Sequence, residues 1–382
     1  MARVTPQRHR ISWGVALVAA ASLLGACNDR GTTVAPDGSN YPIPSNLNDG
    51  LGGNHPASVD MDVALLSEMA REVREGERPN IHSILVYRRG QLVLEEYFSG
   101  TMLSDGTYRD FSRDTLHDIF SVSKSIVSAA VGLAIASGAI ESLDQAVMDF
   151  FPEYRPQVGG SLDLLTIRHL LSMTAGLEWD ESSSSYFDAD NSHRRMMDAR
   201  DPIEYVLTRP VLHPPGTVFT YSTGLSSLLG ELIARATGDR YSEFLGRSLF
   251  DPLGIERAAW LPFYQDNVES AGGGLQLRPR DMTKFGVLYL NRGEWQGTNI
   301  LSSAWVDEST TAQAPGGFYG YQWWLGIGGI GQTNRAFFRA AGLAGQHIYI
   351  YPDLDLVAVF TGNGSGGGPH ELWLDYIIAS VL

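Results

Sequence analysis

The sequence predicts an α/β (α+β) fold: an antiparallel sheet flanked by helices, with an all-helical subdomain inserted between its two halves. Three observations lead there. Residues 81–88 and 91–98 are strand-like runs joined through Arg88-Arg89-Gly90, which reads as an antiparallel hairpin. From about residue 140 to 261 the pattern is helices and loops with few strand signals. Beyond it the mixed character returns, with strand-like runs at 319–325, 336–340, 346–351 and 356–361 and a closing helix over 370–382.

Taken in order, residues 1–26 read as an export signal. Arg3, Arg8 and Arg10 form a basic start, residues 11–24 an apolar run too short to span a bilayer, and Leu24-Gly25-Ala26-Cys27 a small-residue cleavage site. Ending on cysteine, the segment resembles a bacterial lipoprotein signal, with Cys27 lipidated and the protein held extracytoplasmically at the cell envelope. Cys27 is the only cysteine, so the exported domain has no disulfide and relies on core burial. Residues 27–58, rich in Gly, Pro, Asn, Asp and Ser, read as a flexible tether. The folded domain is expected over 59–382, with the helical insertion at about 140–261.

Within the domain, Val63, Leu66, Met69, Ala70 and Val73 recur at helical spacing. After the hairpin a polar loop (99–114) leads to the helix that starts near Ser121 and is stopped by Gly138. Residues 143–151 read as a short helix ended by Pro152, and Thr166 caps another through Leu171. The acidic, serine-rich run 178–194 reads as a solvated surface loop, with a substrate-facing lid as the alternative. Further helices are expected at 225–237, 279–290 and 303–309.

Composition narrows the function classes. The chain has 382 residues, 43% hydrophobic and 19% charged, with a net charge of -15. Removing the arginines of the export signal deepens that acidity, which argues against nucleic acid or anionic lipid as partners. No serine sits in G-x-S-x-G, no histidine pair has metal-ligand spacing, and no Walker or Rossmann glycine pattern occurs in context. No cofactor or metal is implied.

The chemistry concentrates in Phe120-Ser121-Val122-Ser123-Lys124-Ser125, followed by an apolar, small-residue run to Ala136. On a helix Ser121 and Lys124 lie one turn apart on one face. A serine hydroxyl becomes a good nucleophile only when something takes its proton, and burial lowers a lysine pKa enough for that task. The helix N-terminus adds unpaired backbone N–H groups for an oxyanion. The chain has only one other lysine, Lys284. Taken alone, S-x-x-K also fits a capped helix start with a snorkelling lysine.

Five blocks in one order carry a resemblance: 120–125, His169-Leu170-Leu171-Ser172-Met173-Thr174-Ala175-Gly176-Leu177, Pro215-Gly216-Thr217-Val218-Phe219-Thr220-Tyr221-Ser222, Asp251-Pro252-Leu253-Gly254-Ile255 and Gly342-Leu343-Ala344-Gly345-Gln346. Together they resemble the serine β-lactamase / penicillin-binding-protein superfamily, specifically the class C β-lactamase-related branch with its esterases, D-amino-acid peptidases and 6-aminohexanoate-dimer hydrolases. The resemblance implies a β-lactamase/transpeptidase-like fold from about residue 81 onward. It makes Ser121 the nucleophile, Lys124 its paired lysine and Tyr221 the proton acceptor and donor, its phenolate favoured by the lysine. It also places Thr223 at the Asn/Ser position of the second motif and Gly345 in the third. The oxyanion donors it implies are the backbone N–H groups of Ser121 and Gln346.

The third motif, aligned as Leu343-Ala344-Gly345, lacks the cation and hydroxyl that hold a substrate carboxylate. The expectation is therefore an exported, lipid-anchored serine hydrolase acting on a small-molecule ester, amide or peptide through an acyl-enzyme. The alternatives are a D-Ala-D-Ala peptidase or β-lactamase, and an inert protein that binds cell-wall peptide or a partner in the same groove.

Overall fold

The computed structural model describes residues 41–260, 268–330, 333–364 and 368–382. The export signal, Cys27 and the first part of the expected tether lie outside the described residues.

A six-stranded antiparallel sheet organises the chain. Its N-terminal hairpin is β1 (Ile81–Arg88) and β2 (Gln91–Tyr97); its C-terminal meander is β3 (Trp324–Ile330), β4 (Thr333–Gly342), β5 (Gln346–Tyr351) and β6 (Leu356–Gly362). The order β3-β4-β5-β6-β1-β2 joins the two halves through β1 and β6, with Leu85 opposite Val359 and Tyr87 opposite Val357. That pairing closes a domain whose halves are separated by over two hundred residues of sequence.

Both faces of the sheet are covered, so β1 and β6 are buried along their whole length and read as continuous apolar runs. Leu85, Tyr87, Ile348, Ile350, Val357 and Val359 point to one face, where they meet α2 (Val122–Ala136) and α5 (Pro279–Leu290). Ile84, Val86, Tyr349, Tyr351, Ala358 and Phe360 point to the other, against α1 (Val63–Arg74) and the C-terminal helix α6 (Gly368–Leu372), which runs on through Ile378. The period-two alternation decides which helix each strand residue meets.

The inserted segment is mainly helical, but it is not all-helical: Ala259–Trp260 at its end pairs as a short strand with Leu275–Leu277. Its longest helix, α4 (Thr223–Thr237), and the short α3 (Ile167–Leu171) share a continuous apolar core with α2. Gln322 ties the three together: its amide nitrogen donates to the Leu170 and Leu171 carbonyls, its amide oxygen accepts from Ser226, and its backbone carbonyl accepts from Ser125.

Four further sequence expectations are corrected. The tether does not extend to 58: Tyr41 is buried and donates to the Val93 carbonyl, Leu51 is in the core, and buried Arg280 clamps Asp49 at 2.9 Å and Glu95 at 2.7 Å. The expected helix at 143–151 is only a single turn, Val147–Asp149, because Val147 instead hydrogen-bonds back to the Leu165 carbonyl. The polar loop 99–114 contains a small hairpin, Ser99–Thr101 against Tyr108–Asp110. The strand expected at 319–325 starts late, at Trp324, and continues through a glycine-rich stretch that carries little side-chain signal. Gly326 belongs there because a Cβ would sit 2.4 Å from the Phe337 ring across the ladder.

Candidate active site

Ser121 stands at the start of α2, where Phe120 adopts a left-handed backbone (φ 45°) and turns the chain into the helix. A non-glycine residue there is strained, and such strain persists where the surroundings hold it in place. Ser123 donates to the Phe120 carbonyl at 2.5 Å and supplies part of that hold. Ser121 makes no side-chain capping bond, so its hydroxyl is not committed to the helix.

Lys124, one turn on, is 1% exposed. Its Nζ lies 3.0 Å from Ser121 Oγ, 2.9 Å from Thr223 Oγ1 and 2.8 Å from the Gly272 carbonyl. Burial pulls its pKa down to about 8, against an upward pull from Glu181. The expected one-turn contact between Ser121 and Lys124 is present.

Tyr221 precedes α4 and is carried by the block 215–222. That block is docked on the block 169–177, since Gly216 and Thr220 donate to the Thr174 and Met173 carbonyls and the Ser222 N–H reaches Met173 Sδ. Two of the five sequence blocks are therefore one structural unit. The Tyr221 ring stacks on Trp324 at 5.6 Å, inside an aromatic cluster with Phe219, Phe318 and Tyr319. Lys124 Nζ lies over the Tyr221 ring, 5.0 Å from its centroid. Burial, then Tyr319 and Glu181, raise the Tyr221 pKa well above its usual value, against a downward pull from a hydrogen bond with the Ser121 side chain. The phenolate expected from the sequence is thus disfavoured, and Tyr221 stays a phenol.

Three other site expectations change. Thr223 is 3% exposed, and its hydroxyl accepts from Lys124 while donating to Glu181 at 2.8 Å. It stands behind the lysine rather than against a substrate. Gln346 is fully buried, and its side chain is occupied in stapling the 343–345 turn: Nε2 donates to the Ala344 and Gly362 carbonyls while Oε1 accepts from the Gly362 N–H. Gly345 (φ 91°) packs towards Pro369 and Gly364. The glycine that abuts Ser121 is Gly342, the last residue of β4: a Cβ there would meet the Ile119 carbonyl at 2.4 Å and the Ser121 nitrogen at 3.3 Å.

Two residues were not foreseen. Gly272 supplies a carbonyl to Lys124, and a Cβ on it would strike Thr223 at 2.9 Å. Its only sequence signal is the run Gly272-Gly273-Gly274. Glu181, inside the stretch expected to be a solvated loop, is 1% exposed. Its carboxylate accepts from Trp179 Nε1 (2.7 Å), the Thr223 N–H (2.7 Å), the Thr223 hydroxyl and the Tyr186 hydroxyl (3.2 Å). Among the described residues no group of three or more His, Cys, Asp or Glu side chains is placed to share a metal ion.

A family described as "Beta-lactamase" matches residues 69–382. The chain belongs to that family. It is 28% identical over 295 residues to a 6-aminohexanoate-dimer hydrolase of Paenarthrobacter ureafaciens, covering 71% of this chain and 70% of that one. It is 32% identical over 181 residues to the esterase EstB of Burkholderia gladioli, covering 46% and 43%. The fold matches a β-lactamase/D-alanine carboxypeptidase of Pseudomonas syringae with a TM-score of 0.61 at 20% identity, over 82% of this chain and 97% of that one. This member of the beta-lactamase family is a serine hydrolase.

Proposed function

We propose that the protein hydrolyses an ester or amide lacking a carboxylate beside the scissile bond, through an acyl-enzyme on Ser121. The observation that carries the reading is the Lys124 amine, fully buried, 3.0 Å from Ser121 Oγ, with a pKa pulled down to about 8. Neutral Lys124 takes the Ser121 proton as Oγ attacks the acyl carbon. The Ser121 N–H and the N–H of Leu343, the first residue past Gly342, face the carbonyl oxygen as it gains charge. Tyr221, held as a phenol, gives its proton to the leaving oxygen or nitrogen, while Lys124 keeps the Ser121 proton. Water then gives its proton to the Tyr221 phenolate as it attacks the acyl carbon, and Lys124, 3.0 Å from Ser121 Oγ, returns the proton to that oxygen as the acid leaves.

Substrate preference rests on what lines the groove. Leu343 is 42% exposed and Ala344 is apolar, so this turn offers no cation to a carboxylate. Arg339 on β4 donates to the Tyr349 hydroxyl on the opposite face of the sheet. The aromatic wall of Phe318, Trp324 and Tyr221 favours an uncharged, apolar acyl or leaving group.

The deciding measurement is kcat/KM for p-nitrophenyl butyrate, nitrocefin and a D-Ala-D-Ala peptide on one preparation. The ester is expected to exceed both carboxylate-bearing substrates, and an advantage of about tenfold for either of them would reverse the reading. Ser121→Ala is expected to abolish ester turnover and fluorophosphonate labelling. The export signal and Cys27 support placement at a bacterial envelope by a lipid anchor. Metabolic labelling with a fatty acid, lost in Cys27→Ser, tests that placement.

A further inference from the structure

Glu181 touches neither Ser121 nor the space in front of it, yet its hydrogen bonds decide which way the Lys124 lone pair points. A carboxylate has no hydrogen to give, so all four of its contacts are donations to it. One of them uses the only hydrogen of the Thr223 hydroxyl. Thr223 Oγ1 therefore meets Lys124 Nζ, 2.9 Å away, with a lone pair alone. The Gly272 carbonyl, 2.8 Å from Nζ on another side, is likewise only an acceptor. A neutral amine has two hydrogens and one lone pair. Two of its three neighbours accept only, so the hydrogens go to Thr223 and Gly272, and the lone pair is left for the Ser121 hydroxyl.

We infer that Glu181 is a positioning residue that, through Thr223, fixes the orientation of Lys124 as the base for Ser121. The inference rests on the reading of Lys124 as that base. Its charge also holds the Lys124 pKa up against burial.

Replacing Glu181 by Gln shows why the charge matters. Trp179 Nε1 and the Thr223 N–H cannot reverse, so the amide oxygen must face them and the NH2 must face the two hydroxyls. The amide then donates to Thr223, whose freed hydrogen turns to Lys124 Nζ and takes the lone pair meant for Ser121. The change is isosteric, so the packing survives while the hydrogen-bond direction flips.

The test is the pH dependence of kcat/KM for p-nitrophenyl butyrate in Glu181→Gln, with near-UV circular dichroism to verify folding. A general base contributes about 10²–10⁴-fold, and the plateau is expected to fall by about 10²-fold. The rising limb, near pH 8 in the parent, is expected to move to lower pH because the carboxylate no longer stabilises the ammonium. Thr223→Val, which removes the same link from its other end, is expected to lower the plateau similarly, Thr223→Ser to recover most of that loss, and the double variant to be no worse than Thr223→Val. A parent-like plateau in Glu181→Gln, or a lower one with an unmoved limb, overturns the inference. Should Glu181→Gln not fold, a parent-like plateau in Thr223→Val does the same. Failure of the underlying reading shows differently: Lys124→Arg would then keep its turnover whatever Glu181 does.

Discussion

The Lys124 amine lies beneath the ring of Tyr221, 5.0 Å from its centroid, while its hydrogen-bonding directions are given to Ser121, Thr223 and Gly272. The two side chains are close neighbours, with the lysine buried. Their pKa values move apart, lysine down and tyrosine up, which separates them into a base and an acid within one site.

That separation predicts a leaving-group effect for Tyr221→Phe. p-Nitrophenolate departs as a stable anion and needs little help, whereas an alkoxide or amide nitrogen must be protonated as it leaves. Loss of the phenol should therefore lower hydrolysis of an alkyl ester or alkyl amide by about 10²-fold or more, and of p-nitrophenyl butyrate by much less. Equal losses on both would show that Tyr221 is not the acid.

Lys124 predicts the pH profile. Only the neutral amine accepts a proton, so kcat/KM should rise with pH through about 8 and then level. Lys124→Arg keeps charge and length but cannot deprotonate near neutral pH, so it should be inactive across the whole range. A profile already flat from pH 6 to 9 would place the base elsewhere.

A second buried pair sets acid stability. His117 Nδ1 lies 3.0 Å from the Asp118 carbonyl and so carries its proton, leaving Nε2 to accept from His82 Nδ1 at 2.8 Å. Burial, and then His117, depress the His82 pKa to about 3, and burial lowers His117 as well. The unfolded chain, with histidine near 6.5, binds more protons than the native one below that pH. The contribution of His82 is complete above about pH 6.5 and declines towards pH 3, by up to about 1.4 kcal/mol per pH unit, and His117 acts in the same direction. Urea unfolding at pH 7.5 and 5 should show this fall, and the difference should shrink in His82→Gln. An equal fall in that variant would assign it to other groups.

What was legible in the sequence is what depends on near neighbours along the chain. Ser121 and Lys124 needed only the helical repeat, and the strands from Gln346 and Leu356 only their apolar runs. Glu181 looked like one acid among Asp180, Asp188 and Asp190, because its distinguishing contact is with Thr223, forty-two residues on. The signal available was the aromatic pair Trp179 and Tyr186, whose polar hydrogens both needed an acceptor once buried. Gly342 and Gly345 were indistinguishable as letters. Strand pairing, which sets Gly342 opposite Gln346, decides which of them meets Ser121.

These two glycines give the sharpest separation of site from scaffold. Gly342 follows an extended path that alanine can adopt (φ -123°), so the cost of a methyl is purely one of space. That space is filled by the Ile119 carbonyl and the Ser121 nitrogen, and backbone cannot swing aside as a side chain can. Gly342→Ala should push the end of β4 away from Ser121 and carry the Leu343 N–H out of reach of the oxyanion. Loss of one such donor costs about 10²–10³-fold in kcat, with little change in KM. Gly345→Ala should do the reverse: its left-handed backbone (φ 91°) makes alanine costly by about 1–3 kcal/mol of stability, while its packing neighbour is Pro369 rather than Ser121. Steady-state kinetics and thermal unfolding on the two variants make the comparison. If Gly345→Ala loses the kcat and Gly342→Ala only the stability, the oxyanion hole lies at Gln346 after all.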